Sequence, residues 1–293
     1  MDKKDIERII KDFIRTSPEN SLKLDPPEPA WEEVLIGYSA GDDPIFESYK
    51  EYVGESHFTP VEIFNLTYPD DPATSEELTV ISWALIQREA VKADNRKEDF
   101  YPSKRWVMAR FPGEWFNEFL RDHVAQTLTE KGVKALSPTR SPLWKFERSE
   151  KYFLSSRWSE RHAAYASGLG TFGACDGLIT AKGKAHRVGS VVARIKLAPT
   201  PRPYTDHHAY CLFFATGKCL VCARRCPVDA VSEKGHDKQK CMKHAAGTCG
   251  KYVKEKWGFD GYGCGLCQTA VPCESGIPKA ILKKMETISS TDG

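Results

Sequence analysis

Apolar residues recur along the chain with two periods, and each period predicts a different kind of element. Ile6, Ile9, Ile10, Phe13 and Ile14 keep helical spacing, which predicts an amphipathic first helix ending near Ser17-Pro18. Residues 18–45 are rich in Pro, Asp and Gly and read as a loop with short strands. Residues 78–86 are a continuous apolar, β-branched run, suited to a buried strand or a buried helix. Residues 92–104 read as a charged connection. After Phe111-Pro112-Gly113, one helical face carries Phe116, Phe119, Leu120, His123, Val124, Thr127 and Leu128, and Gly132 is placed to end that helix. His123 on that face reads as a packed histidine rather than a ligand. A short strand at 133–136, a helix at 158–168 ending on Gly168, and strands at 178–180 and 187–197 follow. The Pro-rich stretch 198–204 marks a boundary.

The patterning contains no stretch of about 20 apolar residues, so no membrane span is expected. The N-terminus, MDKKDIERIIKDF, has neither an apolar h-region nor a small-residue cleavage site, so it does not read as a secretory signal. A cytoplasmic location is the expectation. Charge is divided unevenly. Residues 1–100 sum to −12 and residues 101–293 to +14, within a formal net charge of +2. The basic part suits an anionic partner: a phosphate-bearing cofactor, a nucleic acid or anionic metal–sulfur clusters.

Cysteine changes the picture most. The 293 residues include ten cysteines, of which only Cys175 lies outside the span from Cys211 to Cys273. In a reducing compartment, clustered cysteines bind metal or do redox work rather than form a disulfide scaffold. Cys219-x2-Cys222-x3-Cys226-Pro227 matches the last three cysteines and the proline of the bacterial ferredoxin run, whose fourth cysteine ligates the other cluster of a pair. The first cysteine of that run would fall at Thr216, so Cys211 is the nearest substitute. Applying the crossed rule, Cys211, Cys219, Cys222 and Cys273 hold one 4Fe–4S cluster. Cys226, Cys241, Cys264 and Cys267 hold the other. Cys249 is left over and could replace Cys211 or Cys241. The rival is a four-thiolate zinc site made from Cys219, Cys222, Cys264 and Cys267, which leaves Cys226, Cys241 and Cys273 without a role.

These cysteine motifs, with Lys240-Cys241 and Gly263-Cys264-Gly-Leu-Cys267-Gln268, resemble the double-cluster domain of the epoxyqueuosine reductase and corrinoid reductive dehalogenase superfamily. The segment from Ser159-Glu160-Arg161 to Gly168-Leu-Gly170-Thr-Phe-Gly173 is similar to that superfamily's glycine segment, and Gly189-Ser190 to its following Gly-Ser pair. The resemblance covers residues 100–285 and leaves 1–100 unmatched. It implies an α/β (α+β) architecture: a nitroreductase-like domain over 1–200, a ferredoxin-like domain with two 4Fe–4S clusters over 201–285, and a tail over 286–293.

The resemblance further implies an iron–sulfur reductase. A ferredoxin or flavodoxin supplies electrons, and the clusters pass them to a base-off cobalamin that reduces a substrate. Gly168, Gly170, Gly173 and Ser190 are then the expected cofactor contacts, because glycines let backbone approach a flat cofactor closely. The chain departs from the pattern in places. Leu154 stands where the epoxyqueuosine reductases carry their acid, and Gly173-Ala-Cys175-Asp176 replaces Gly-Lys-Asn, so a transfer RNA substrate is not expected. No catalytic acid is named by the sequence; Tyr152, Asp176 and His162 are the alternatives considered, each with a structural reading beside it. The second function reading is an electron-transfer or cobalamin-reducing protein without substrate chemistry of its own.

Overall fold

The computed structural model describes the backbone of residues 1–291 and the side chains of residues 1–285, so the expected tail at 286–293 lies outside the described side chains. The chain opens with α1 (Lys3–Thr16), β1 (Trp31–Ala40), α2 (Ile45–Tyr52), α3 (Pro60–Thr67) and β2 (Thr79–Gln87). It continues with α4 (Glu89–Arg96), α5 (Lys104–Arg110), α6 (Pro112–Glu130) and β3 (Ala135–Leu136). A hairpin of β4 (Phe146–Ser149) and β5 (Phe153–Ser156) leads to α7 (Glu160–Ala166). Strands β6 (Gly170–Phe172) and β7 (Leu178–Thr180) form a second hairpin before β8 (His186–Ala193).

One antiparallel sheet, in the order β1-β2-β8-β3, organises the first two hundred residues. Helices cover both of its faces, which is why every residue of β2 is buried and its sequence shows no alternation. Ile81, Trp83 and Leu85 of β2 face one core with Ile6, Ile10 and Ile14 of α1 and Phe116, Leu120 and Val124 of α6. Val80 and Val192 face the other core, with Phe46, Phe64, Trp158 and Ala164. A capping box between Asp2 and Asp5 starts α1, and Thr59 with Glu62 starts α3 in the same way, satisfying backbone N–H groups that the helices leave free.

The structure corrects three sequence expectations. The stretch 18–45 holds a ten-residue edge strand, β1, paired with β2 from Trp31↔Gln87 to Ala40↔Thr79. Its Val34-Leu35-Ile36 run was masked by the surrounding Pro, Asp and Gly. The stretch 92–104 is no plain connection: α4 takes its first five residues. Phe119, assigned to the buried face of α6, is 46% exposed, whereas its neighbours Phe116 and Leu120 are fully buried. His123 on that helix stacks on Phe13 with ring centroids 4.3 Å apart, a packing role as expected.

The cysteine-rich part is built from short pieces: α8 (Leu212–Thr216), α9 (Val221–Arg224), a two-residue pair β9 (Val231–Ser232) and β10 (Gly235–His236), α10 (Lys238–Met242), α11 (Cys249–Trp257) and α12 (Lys279–Thr291). It docks on α4 and α5. Asn95 donates to the Cys264 carbonyl at 3.3 Å and to Thr269 Oγ1 at 3.2 Å. The Arg225 guanidinium donates to the carbonyls of Glu98, Asn95 and Thr269. Arg96 holds the buried Glu274 carboxylate. Among the described residues, no helix is long and apolar enough to cross a membrane.

Candidate functional site

The cysteine loops are shaped by backbone that few residues adopt. Leu220, Asp229 and Ala270 sit at positive φ beside Cys219, Cys226 and Cys267–Cys273. Such conformations cost free energy and persist where surrounding structure dictates them. Gly265 between Cys264 and Leu266 has φ +68°, and a Cβ there would come within 2.0 Å of the Trp106 indole. Only glycine lets the Cys264–Cys267 turn lie flat on that ring. Pro227 directly follows Cys226, whose sulfur accepts from the Ala230 N–H at 3.2 Å.

Cys211, Cys219, Cys222 and Cys273 line one small cavity, together with Gly173, Ala174 and Lys184. Cys226, Cys241, Cys264 and Cys267 line a second, of about 500 Å³, together with Cys175. Cys211, Cys219, Cys222 and Cys273 thus border one cavity, and Cys226, Cys241, Cys264 and Cys267 border the other. The two Cys-x2-Cys pairs proposed to share a zinc ion line different cavities. Among the described residues, no three His, Cys, Asp or Glu side chains are grouped as ligands for a single metal ion.

Two further cysteines flank these groups. Cys249 is fully buried, 3.3 Å from His244 Nε2, and reaches the thiol of Cys264, which holds Cys249 below the ordinary thiol range. It therefore sits beside the second group, away from Cys211. Cys175 lies between the two groups. The thiols of Cys222 and Cys267 reach it, and with the Lys184 ammonium they hold it well below the ordinary thiol range despite burial. Lys184 Nζ donates to Cys175 Sγ at 3.3 Å. Nothing in the sequence marked Lys184, which lies in a turn between two strands.

A cavity of about 1220 Å³ adjoins the second group, and Arg161 and His236 line both spaces. Its walls include Tyr49, Tyr165 and Phe172 from the α/β part and Lys234, Asp237 and Lys238 from the cysteine-rich part. His236 Nδ1 lies 3.1 Å from Asp176 Oδ2. Burial opposes the imidazolium, but Asp176 and Cys241 outweigh it and raise His236 to about 10. Burial keeps His162 neutral, and its Nδ1 is 2.7 Å from Ser159 Oγ. Tyr152 lines the cavity's rim, where Lys238 crosses toward its ring at 5.6 Å. In the second group's cavity, Gln87 Oε1, His186 Nδ1 and His244 Nδ1 are buried without a partner.

Protein atoms stand on the Cβ side of the glycines expected at a cofactor and around Ser190, while Gly173 also lines the first cysteine cavity. A Cβ at Gly170 would meet the Ile179 carbonyl at 2.2 Å across the β6–β7 hairpin, and one at Gly168, φ +76°, would meet the Pro201 carbonyl at 2.8 Å. A Cβ at Gly173 would sit 3.3 Å from Ile179 Cδ1. Ser190 is fully buried, donating to Glu160 Oε2 at 2.5 Å and accepting from Trp158 Nε1 at 2.9 Å. Glu160 is also ion-paired with Arg121, its Oε1 lying 3.0 Å from Nε, and Arg121 is bound by Glu114 at 2.9 Å. The Glu160-Arg161 and Gly189-Ser190 motifs therefore meet through one buried charge network. The remaining near-motif, Asp206-x-His208, ends in a histidine bonded to the Phe172 carbonyl at 2.8 Å and stacked on Phe214.

No family model and no curated protein matches the sequence. Solved structures do match in fold. A catabolic reductive dehalogenase, NpRdhA, superimposes with a TM-score of 0.50 at 16% identity over 86% of this chain and 31% of its own. A reductive dehalogenase structure associated with B12-dependent dehalogenation gives the same values. Epoxyqueuosine reductase from Bacillus subtilis gives a TM-score of 0.44 at 14% identity over 95% of this chain and 68% of its own. The chain spans about a third of the length of the dehalogenase chains. Its mixed α/β fold is similar to the fold of the reductive dehalogenase structures over most of the chain's length.

Proposed function

We propose that this chain is an iron–sulfur oxidoreductase in which two 4Fe–4S clusters carry electrons toward a base-off cobalamin that reduces a substrate. One observation carries the reading: eight cysteines separated in sequence border two cavities in crossed order, with Cys175 also on the second. The donor chemistry fits. All eight groups are thiols, the ligands that iron–sulfur clusters take. A cluster of several atoms spans a gap between four thiols that one ion does not.

The large cavity fits an amide-rich flat cofactor on two observations. Its volume is about 1220 Å³, and the adjoining space carries the orphaned Gln87 Oε1 and His186 Nδ1, which call for hydrogen-bonding partners. Tyr49, Tyr165, Phe172 and the Arg161 guanidinium would hold such a group. When bound, cobalamin would supply a low-potential cobalt centre. The chain's own residues exclude water on the aromatic side, while the Asp176–His236 pair places a proton between the two cavities. In this reading residues 1–200 form the nitroreductase-like domain and 201–285 the ferredoxin-like domain, and the electron donor is a small carrier such as a ferredoxin or flavodoxin.

Anaerobic purification with iron and acid-labile sulfide analysis tests this. About eight irons per chain are expected, since each cluster carries four. Fewer than about six overturns the two-cluster reading. Cys222→Ser and Cys264→Ser should each lose about half the iron, from different clusters distinguishable by electron paramagnetic resonance. Cobalamin titration should change the corrin spectrum; an unchanged spectrum removes the cofactor from the reading.

A further inference from the structure

Lys184 is 3% exposed, yet among the described residues it forms no salt bridge. A buried ammonium is costly unless a counter-charge or good acceptors surround it. What surrounds it is sulfur. Its Nζ donates to Cys175 Sγ at 3.3 Å, and Cys273, Cys267 and Cys222 lie close enough to stabilise its charge against burial. Lys184 lines both cysteine cavities. Its backbone is fixed as well: its N–H donates to the Cys273 carbonyl at 2.9 Å. The preceding Gly183 packs so closely on Glu274 that a Cβ would come within 2.1 Å of that carbonyl oxygen. The side chain therefore enters the space between the two groups from a rigid turn.

Resting on the two-cluster reading, we infer that Lys184 is a positioning residue whose fixed positive charge, held by Cys175 between the two cysteine groups, raises the reduction potential of both clusters. Reduction adds one negative charge to a cluster, and a nearby cation favours the more negative state. Net charge and contacts to the sulfurs are among the factors that set such potentials. Because Lys184 borders both cavities, it acts on both couples, which keeps them matched for passing an electron between them.

The test is a redox titration of the intact protein, followed by electron paramagnetic resonance, for wild type, Lys184→Met, Lys184→Gln and Lys184→Arg. At a fixed solution potential, both neutral variants should show a reduced-to-oxidised ratio at least about tenfold lower at both clusters, equivalent to about 59 mV for a one-electron couple. Lys184→Arg should restore most of the shift. If both neutral variants lose iron while the Arg variant keeps it, the charge is again tied to the clusters and the inference stands. Iron-loaded neutral variants with unchanged potentials overturn it. So does an Arg variant shifted, or depleted of iron, as much as the neutral ones, since packing would then be the cause. Wild-type protein without iron overturns the iron–sulfur reading itself, a result distinct from loaded variants with unchanged potentials.

Discussion

Two buried cations in this molecule are solved in opposite ways. Arg121, 5% exposed, lies within the α/β part and is met by the carboxylates of Glu114 and Glu160, with the Val188 carbonyl accepting from its remaining nitrogen. Carboxylates carry that network's negative charge, although Arg121 Nε itself has no hydrogen-bond partner. Lys184, similarly buried, donates to the Cys175 thiol and, among the described residues, pairs with no carboxylate. Its compensation must come from sulfur that carries negative charge. The first arrangement is closed by carboxylates, whereas the second is closed by thiols. The contrast teaches that burial of a charge says little about function until its partners are named.

The contrast can be broken most severely at Arg121. Arg121→Met leaves two buried carboxylates without their cation, and removing one partner of such a network costs about 3–5 kcal/mol. Urea denaturation should show that loss, and a loss below about 1 kcal/mol would mean Arg121 does not compensate the two carboxylates as described.

The next effect in size is a pH dependence confined to the α/β part. Burial lowers His57 and His186 to about 4. His57 Nε2 accepts from the Ser159 N–H at 3.1 Å, which requires an unprotonated nitrogen. A depressed histidine contributes stability that is fully present above its unfolded pKa, about 6.5, and is lost as pH falls toward the folded value. Each contributes up to roughly 3 kcal/mol across that window. Denaturation midpoints at pH 7 and pH 5 should differ, and His57→Gln should flatten part of the slope.

Smaller still is the effect of Lys184→Met on iron-free protein. Removing an ammonium without a carboxylate partner should leave stability unchanged or slightly higher, the reverse of Arg121→Met. A large loss by thermal melting would erase the comparison. The smallest effect is expected at Cys249. It is absent from the linings of both cavities, so Cys249→Ser should keep its iron, while Cys241→Ser should lose iron from the second group. Reversed iron counts would exchange the two residues as ligands.

Much of this was legible in the sequence for identifiable reasons. The α1 and α6 stripes keep helical spacing over several turns, so their buried faces follow from periodicity, with Phe119 as the exception at the edge of the stripe. The proposed division of eight cysteines rests on spacing, because two intervening residues bring thiols together and three send the next one elsewhere. The edge strand β1 was hidden because its turn-forming flanks dominate the window around a short apolar run. The role of the glycine segment was not legible for a different reason. Glycine at a close approach looks the same in sequence whether a cofactor or the protein's own backbone is the neighbour, and here Ile179 and Pro201 stand on the Cβ side of Gly170 and Gly168.

The sequence by itself determined the helices α1, α6 and α7, which depend on local periodicity, and it left residues 78–86 open between strand and helix. Only the tertiary structure decided that α4 is the seat of the cysteine-rich part, through Asn95 and Arg96 reaching Cys264, Thr269 and Glu274. It also decided that Cys249 joins the second group, and that Cys175 and Lys184 stand between the two. These are contacts between residues far apart in the chain. Their energies come from burial and charge compensation, and neither quantity exists until the chain has folded.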